Sequence, residues 1–245
     1  MSENMIDIIK ISDKSFVSNC SADELLNYMI DHRIKVNHII TDPPYNISKV
    51  HSFDTFKNPR TGVDFGEWDK DFDVSGWIEK AVNVLDKNGS MIIFCSYRFM
   101  SYIIDRLESN NMCVKDVIVW QKSNPMPRNV NRRYVQDMEF AIWAVRVKSK
   151  WVFNKPENIP YLRSFWNTPN VSGRERTKHP TQKSLRVMED LVRIHTNEGE
   201  IILDPFMGSG TTGVACLKNN RYFIGTDISS EYTEITLNRI QKWIK

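Results

Sequence analysis

The sequence predicts an α/β layered domain, and three observations predict it. Short apolar runs at 36–40, 91–95 and 201–203 have the length and β-branched content of buried strands. Segments with apolar residues at helical spacing alternate with them, which is the pattern of helices layered on a sheet. Polar, Gly- or Pro-bearing stretches separate the two kinds of segment. A chain of 245 residues can bury one sizeable core. One domain spanning 1–245 is expected, with an insertion at about 122–178.

Taken in order, residues 16–18 begin a short strand. Residues 22–33 place Leu25, Leu26, Met29 and Ile30 at helical spacing. Residues 36–41 form the next strand. The polar stretch at about 47–72 contains Asn58-Pro59-Arg60-Thr61-Gly62 and reads as a mobile loop able to close over a neighbouring site. Residues 77–85 are helical, 91–95 a buried strand, and 97–107 a helix. Strong β-formers mark strands at 114–120 and 139–147. Between them, 122–134 is rich in Pro, Asn and Arg. Residues 150–178 read as irregular, with aromatics interleaved among basic residues. Pro180 and Thr181 open an amphipathic helix carrying Leu185, Met188, Leu191, Val192 and His195. The C-terminal third reads strand (200–203), Gly-containing loop (204–210), helix (211–218), strand (221–225), helix (230–245).

Two loops carry chemistry. Asp42-Pro43-Pro44-Tyr45 follows the strand at 36–41. The prolines fix φ and remove donors, so the turn is stiff. A carboxylate (Asp42) and a main-chain carbonyl (Pro43) can both accept from the N–H groups of an exocyclic base amine. That draws the nitrogen towards tetrahedral geometry and localises its lone pair. Tyr45 offers a flat face for an unstacked base. The residues alone also permit a Pro-Pro turn in which Asp42 is merely a cap.

The second loop is Asp204-Pro205-Phe206-Met207-Gly208-Ser209-Gly210. Gly208 and Gly210 let the backbone approach a ligand, and the following helix start offers free N–H groups. The spacing is neither a G-x-G-x-x-G fingerprint nor a Walker P-loop. Asp227, one strand later, is placed to accept from both ribose hydroxyls of a nucleotide-like cofactor. Its alternative is the N-cap of the last helix. His179-Pro180-Thr181-Gln182-Lys183 could contact the amino-acid end of such a cofactor, or could simply begin a surface helix.

Strand–DPPY, then a His179-Pro180 segment, then D-P-F-x-G-S-G resembles the S-adenosylmethionine-dependent amino methyltransferases of DNA. The order of the motifs resembles that of their β group, close to the small adenine-N6 enzymes of restriction–modification systems. Phe65-Gly66-Glu67-Trp68-Asp69, Phe94-Cys95-Ser96-Tyr97-Arg98 and Asn124-Pro125-Met126-Pro127-Arg128-Asn129 add to the likeness. The resemblance implies a circularly permuted class I (Rossmann-like) three-layer sandwich, with a mostly parallel seven-stranded sheet and an antiparallel hairpin at its edge. It implies that Asp42, Pro43, Pro44 and Tyr45 are catalytic. It also implies that S-adenosyl-L-methionine is held by Cys20, Ser21, Ala22, Asp42, His179, Lys183, Asp204, Phe206, Gly208, Ser209, Gly210, Thr211 and Asp227. Relatives often carry Asp where Ser21 stands, so backbone contacts would replace a side chain at the adenine. A homodimer and a cognate restriction endonuclease are further expectations. Cytosine-N4 methylation is an alternative, although that group more often has Ser in place of Asp42. Methylation of an RNA base amine and a non-catalytic DNA-binding role are the others.

The charge pattern points to a polyanion. Residues 121–183 hold thirteen Lys and Arg against four Asp and Glu, in a chain whose total charge is only +3. A solvated basic surface is the alternative. Arg128, Asn129, Asn131, Arg132, Arg133 and Tyr134 form a cluster able to read base edges of double-stranded DNA. Lys122, Lys148, Lys150, Lys155 and Arg163 are candidates for DNA-backbone contacts. No apolar run reaches membrane-spanning length and the start is polar, so a cytoplasmic, nucleoid-associated protein is expected. Four cysteines without C-x-x-C pairing and five scattered histidines lead us to expect no metal.

Overall fold

The computed structural model describes residues 6–45, 72–127 and 130–244. The expected mobile loop at 47–72 lies almost wholly outside these residues, as do Arg128 and Asn129. At the centre is β3 (Val36–Thr41), buried along nearly its whole length. Ile39 faces one core and Ile40 the other. This two-sided burial is why the run is apolar without alternation.

Around β3 stand β1 (Ile8–Ser12), β2 (Ser15–Ser18), β4 (Leu85–Cys95), β5 (Met112–Lys122), β6 (Met138–Arg146), β7 (Phe165–Thr168), β8 (Ile201–Asp204) and β9 (Tyr222–Thr226). They form a nine-stranded sheet in the order β1-β2-β9-β8-β3-β4-β6-β5-β7. Its inner seven strands are the expected ones. They are parallel except for β6, which runs antiparallel to both neighbours. The expected hairpin is β5–β6, but it is not at the edge, because β7 pairs in parallel outside β5. At the other edge β1 folds back on β2.

Among the described residues, three helices cover each face. The helices α1 (Ala22–Asp31), α2 (Ile78–Val84) and α3 (Met100–Ser109) bury Leu25, Leu26, Ile78, Ala81 and Leu107 on one side. On the other, α4 (Leu185–His195), α5 (Thr211–Lys218) and α6 (Ser230–Ile240) bury Val187, Leu191, Val214, Ala215 and Ile240. Each such large side chain contributes roughly 1.5–3 kcal/mol by leaving water. Crossovers from β3 go to β4 on one side, and those from β8 go to β9 on the other. The loops after β3 and β8 therefore diverge and leave a crevice at the carboxyl ends of two neighbouring parallel strands. In open α/β sheets that switch point is where ligands bind.

Three differences from the sequence reading matter for the site. The segment 122–178 is not one excursion, since β6 lies inside the sheet; only 123–137, 147–164 and 169–184 leave it. The helix expected from Pro180 begins instead at Leu185. Gln182 is tied instead to the preceding loop, its Oε1 accepting from the Thr177 amide at 2.8 Å and its Nε2 donating to the Glu175 carbonyl at 2.8 Å. Glu175 Oε1 accepts from the Leu185 amide at 2.9 Å and so closes that helix start. Finally, Ser229 and not Asp227 caps α6, accepting from the Tyr232 amide. Among the described residues no helix is long and apolar enough to cross a membrane.

Candidate active site

The Asp42 turn and the glycine loop meet at the switch point. His38 and Ile39 of β3 pair with Ile202 and Leu203 of β8, so Thr41 and Asp204 end side by side. The Thr41 hydroxyl donates to Asp204 Oδ1 at 2.6 Å, and the same oxygen accepts from the Phe206 amide at 3.1 Å. Burial pushes the Asp204 carboxyl up to about 6 against the pull of the Thr41 and Thr212 hydroxyls and the Phe206 amide. Asp204 thus ties the two loops together from within.

Asp42 is largely buried just past β3. Its Oδ1 accepts from the Tyr45 hydroxyl at 2.6 Å, and its Oδ2 pairs with the Lys183 ammonium. Burial raises the Asp42 carboxyl, and Lys183 offsets this only in part. Lys183 lies 5.3 Å from the Tyr45 ring centroid and 5.2 Å from that of Phe94, within cation–π range. Burial alone would lower the Lys183 ammonium, but Asp42 and Glu139 outweigh it and raise its pKa. Asp42, Tyr45 and Lys183 are therefore one constellation. Pro43, Pro44 and Tyr45 also wall a small apolar pocket with Phe94, Cys95, Phe99 and Ile103. The same burial, with Asp42 nearby, pushes the Cys95 thiol up to about 12 and leaves it inert.

The glycine loop is shaped by its neighbours. Gly208 has φ of +48°, and a Cβ there would lie 2.8 Å from His179 Nε2. Gly210 has φ of +71° and starts α5, where a Cβ would lie 2.6 Å from Thr236. Thr236 donates to the Gly208 carbonyl at 2.9 Å, and Arg239 donates to Thr211 Oγ1 at 3.0 Å. One face of α6 thus holds the loop from behind. His179 packs edge-on to Tyr232 with centroids 4.4 Å apart. Burial, with Lys183, Arg176 and Arg239 nearby, holds His179 down at about 4, so it is neutral.

Asp227 follows β9 beside this loop. Its Oδ2 accepts from the Gly208 amide at 3.0 Å and its Oδ1 from the Ser229 amide at 2.9 Å. Burial raises it to about 6 despite both amides. Each oxygen keeps accepting capacity for a hydroxyl. Cys20 is drawn to the same strand end: its amide donates to Thr226 Oγ1 at 3.2 Å, and Thr226 donates to its carbonyl at 2.7 Å. The Asn19 side chain donates to the Asp227 carbonyl at 2.8 Å. Ser21 caps α1 in a reciprocal capping box with Glu24. Its side chain is committed there, and its amide donates to Glu24 Oε2 at 2.8 Å. Phe206 packs edge-on against Trp77 and Phe72 at 5.1 and 5.3 Å. A cradle that excludes a Cβ at Gly208, together with a half-buried carboxylate that keeps accepting capacity on both oxygens, fits a nucleoside-bearing cofactor.

The candidate DNA contacts divide by position. β6 runs from Met138 at the catalytic end to Arg146 at the far end, roughly 25 Å away for a strand of this length. Asn131, Arg132, Arg133 and Tyr134 are exposed in the loop at the catalytic end, Tyr134 at 97%. Lys148 and Lys150 follow Arg146 at the opposite end, where the Lys150 amide donates to Asn88. Lys155 lies beside Asn154, which is bonded to the C-terminus of α4 at that same end. The antiparallel direction of β6 carries these three away from the site. Arg163 sits outside the middle of β5, over Tyr161. Lys122 is half-buried and paired with Glu139 instead of free. Sequence reasoning missed Glu139, Thr41, Thr236 and Arg239. Only Thr236 and Arg239, three apart on one helical face, left any periodic signal.

A mostly parallel sheet with these two loops at its switch point is the fold of a class I methyltransferase, here with the Asp42 turn ahead of the Gly208 loop in the chain. Residues 36–238 match the family described as DNA methylase, and this chain belongs to it. It is 32% identical to the Type II methyltransferase M2.MboI of Moraxella bovis, over 93% of this chain and 88% of that protein. It is equally identical to M2.DpnII of Streptococcus pneumoniae, over 83% and 81%. The crystal structure of an M1.HpyAVI–SAM complex superposes with a TM-score of 0.77 at 48% identity, covering 91% of this chain and 98% of that one. The cytosine-N4-specific PvuII DNA methyltransferase superposes with a TM-score of 0.70 at 15% identity over 93% and 86%, a likeness of fold alone.

Proposed function

We propose that this chain is a site-specific DNA methyltransferase that moves a methyl group from S-adenosylmethionine to N6 of an adenine swung out of the duplex. One observation carries the reading. The Asp42 turn and the Gly208 loop stand on neighbouring parallel strands at the switch point, joined through Thr41 and Asp204 at 2.6 Å. Donor and acceptor sites are thus held by one rigid sheet edge, where a misplacement of about 1 Å would cost on the order of 100-fold in rate.

When bound, S-adenosylmethionine supplies an electrophilic methyl group. Asp227 and the amides around Gly208 would hold its ribose side, with His179 and Phe206 beside it. Asp42 and the Pro43 carbonyl accept from the adenine N6–H groups and localise the lone pair. Tyr45, fixed by its bond to Asp42, offers its ring to the extruded base. Asn131, Arg132, Arg133 and Tyr134 at the catalytic end face the duplex, joined by exposed Arg174, Arg176 and Lys178 of the segment before α4. Membership of a Type II restriction–modification pair, a homodimer, and a cytoplasmic, nucleoid-associated location belong to the same reading.

Asp42→Ala is expected to abolish transfer to duplex DNA while cofactor affinity, read by calorimetry, stays close to wild type. Normal turnover in that variant would remove Asp42 from its role. Tritiated methyl transfer followed by nucleoside analysis separates N6-methyladenine from N4-methylcytosine.

A further inference from the structure

Four alternating charges run from the catalytic turn into the sheet. Asp42 pairs with Lys183, Lys183 lies 2.9 Å from Glu139 Oε2, and Glu139 pairs through Oε1 with Lys122. None of the four side chains is more than 22% exposed. Lys122 ends β5 and Glu139 stands second in β6, so these two are the stems of the 123–137 loop. They are diagonal neighbours across the ladder, two positions apart, since Trp120 is the register partner of Glu139 and Gln121 that of Met138.

An ammonium touching Asp42 raises a problem for the chemistry. It occupies an acceptor oxygen that the adenine amine needs. It also places positive charge where the attacking nitrogen becomes positive. Glu139 answers both, because it offers the same ammonium a second carboxylate and cancels its field. Glu139 Oε2 is buried and lies 2.9 Å from the Lys183 ammonium, so it is already in place to hold that charge when Asp42 turns away. Burial works against the Glu139 charge, but Lys183 and Lys122 outweigh it and hold its pKa at about 2. It is ionised across the working range.

We propose that Glu139 is a positioning residue for methyl transfer: it retains the Lys183 ammonium as Asp42 turns to the exocyclic amine, and Lys122 balances Glu139 from the stem of the 123–137 loop. The inference rests on the amino-methylation reading above. The titratable and charged groups facing Asp42 are Tyr45 from its own turn, Lys183 from the segment before α4, Glu139 from β6, Cys95 from β4 and Asp204 from β8. Removing the Glu139 charge makes Asp42 easier to ionise. Removing the Lys122 charge leaves Glu139 less neutralised and makes Asp42 harder to ionise.

The test uses the full chain, duplex DNA and tritiated S-adenosylmethionine. For Glu139→Gln, kcat is expected to fall on the order of 10-fold or more, the range of a positioned group in general acid–base steps or below it. Its cofactor Kd should stay within about two-fold, as expected if only transfer-specific interactions change. The acid limb of kcat/KM should move to lower pH in Glu139→Gln, to higher pH in Lys122→Met, and back towards wild type in the double variant. A merely structural role would not give opposite shifts. Limbs that stay put or move together, or an unchanged kcat in Glu139→Gln, overturn the proposal. Should Glu139→Gln not fold, Lys122→Met decides alone: an upward limb supports the proposal and an unmoved one overturns it. A wild-type protein that labels no adenine removes the functional reading and this inference with it. Labelled adenine with unmoved limbs removes this inference only.

Discussion

At the level of single side chains, the site is governed by how burial is offset. Asp204 and Asp227 are both lifted to about 6, chiefly because they are buried. For Asp227 the sign of the pH effect follows directly. Between about pH 4 and 6 the folded protein holds a proton that the unfolded chain, with its ordinary carboxylate, has lost. Stability therefore falls as pH rises through that window. Asp227→Asn deletes this contribution. In the absence of cofactor, its thermal midpoint relative to wild type should improve as pH rises from about 4 to about 7. Calorimetry on the same variant should show cofactor affinity lowered on the order of 10-fold, since a charged acceptor is removed. A midpoint difference that does not vary with pH would contradict the burial argument.

Among elements, capping and strand ends decide what each loop can do. The resemblance places Ser21 at the cofactor, and the structure commits its side chain to α1 through Glu24. Ser21→Ala should cost about 1 kcal/mol of stability, the usual worth of an N-cap. It should leave cofactor affinity nearly unchanged, because that hydroxyl is already engaged by Glu24. A large drop in affinity without a drop in stability would return the hydroxyl to the cofactor site. Strand and helix identities around the two motifs were legible because their apolar runs, though short, are followed closely by Pro or Gly. The strands β1 and β7 were not. Each is short, lies at a sheet edge, and is defined by pairing that local pattern does not reveal. The start of α4 was hidden for a related reason, since the bonds of Gln182 to Glu175 and Thr177 and of the Leu185 amide to Glu175 override the helix signal of Pro180.

For the molecule as a whole, charge is sorted by the direction of β6. The loop bearing Asn131, Arg132 and Arg133 opens at the catalytic end, while Lys148 and Lys150 lie at the other. Duplex binding should therefore weaken with salt in a way that depends on the first group. Replacing Arg132 and Arg133 together by Ala is expected to flatten the slope of log K against log salt by up to about 2, roughly one for each of the two that neutralises a phosphate and does not read a base edge. Lys148→Ala should leave the slope as it is. Equal effects from both would place the duplex across a different face. The charge excess along 121–183 gave no hint of this division, because a net excess in sequence carries no direction in space.

Residue order was enough to establish an α/β sheet, a stiff acidic turn after one strand and a glycine loop after another. These follow from local rules: apolar periodicity, the fixed φ of proline, the freedom of glycine. That the two loops face one crevice depends on β3 lying beside β8, a pairing between residues more than 160 apart in the chain. The Asp42–Lys183–Glu139–Lys122 series depends likewise on four separate segments converging. Electrostatics acts over ångströms of space, and only folding converts separations along the chain into such distances.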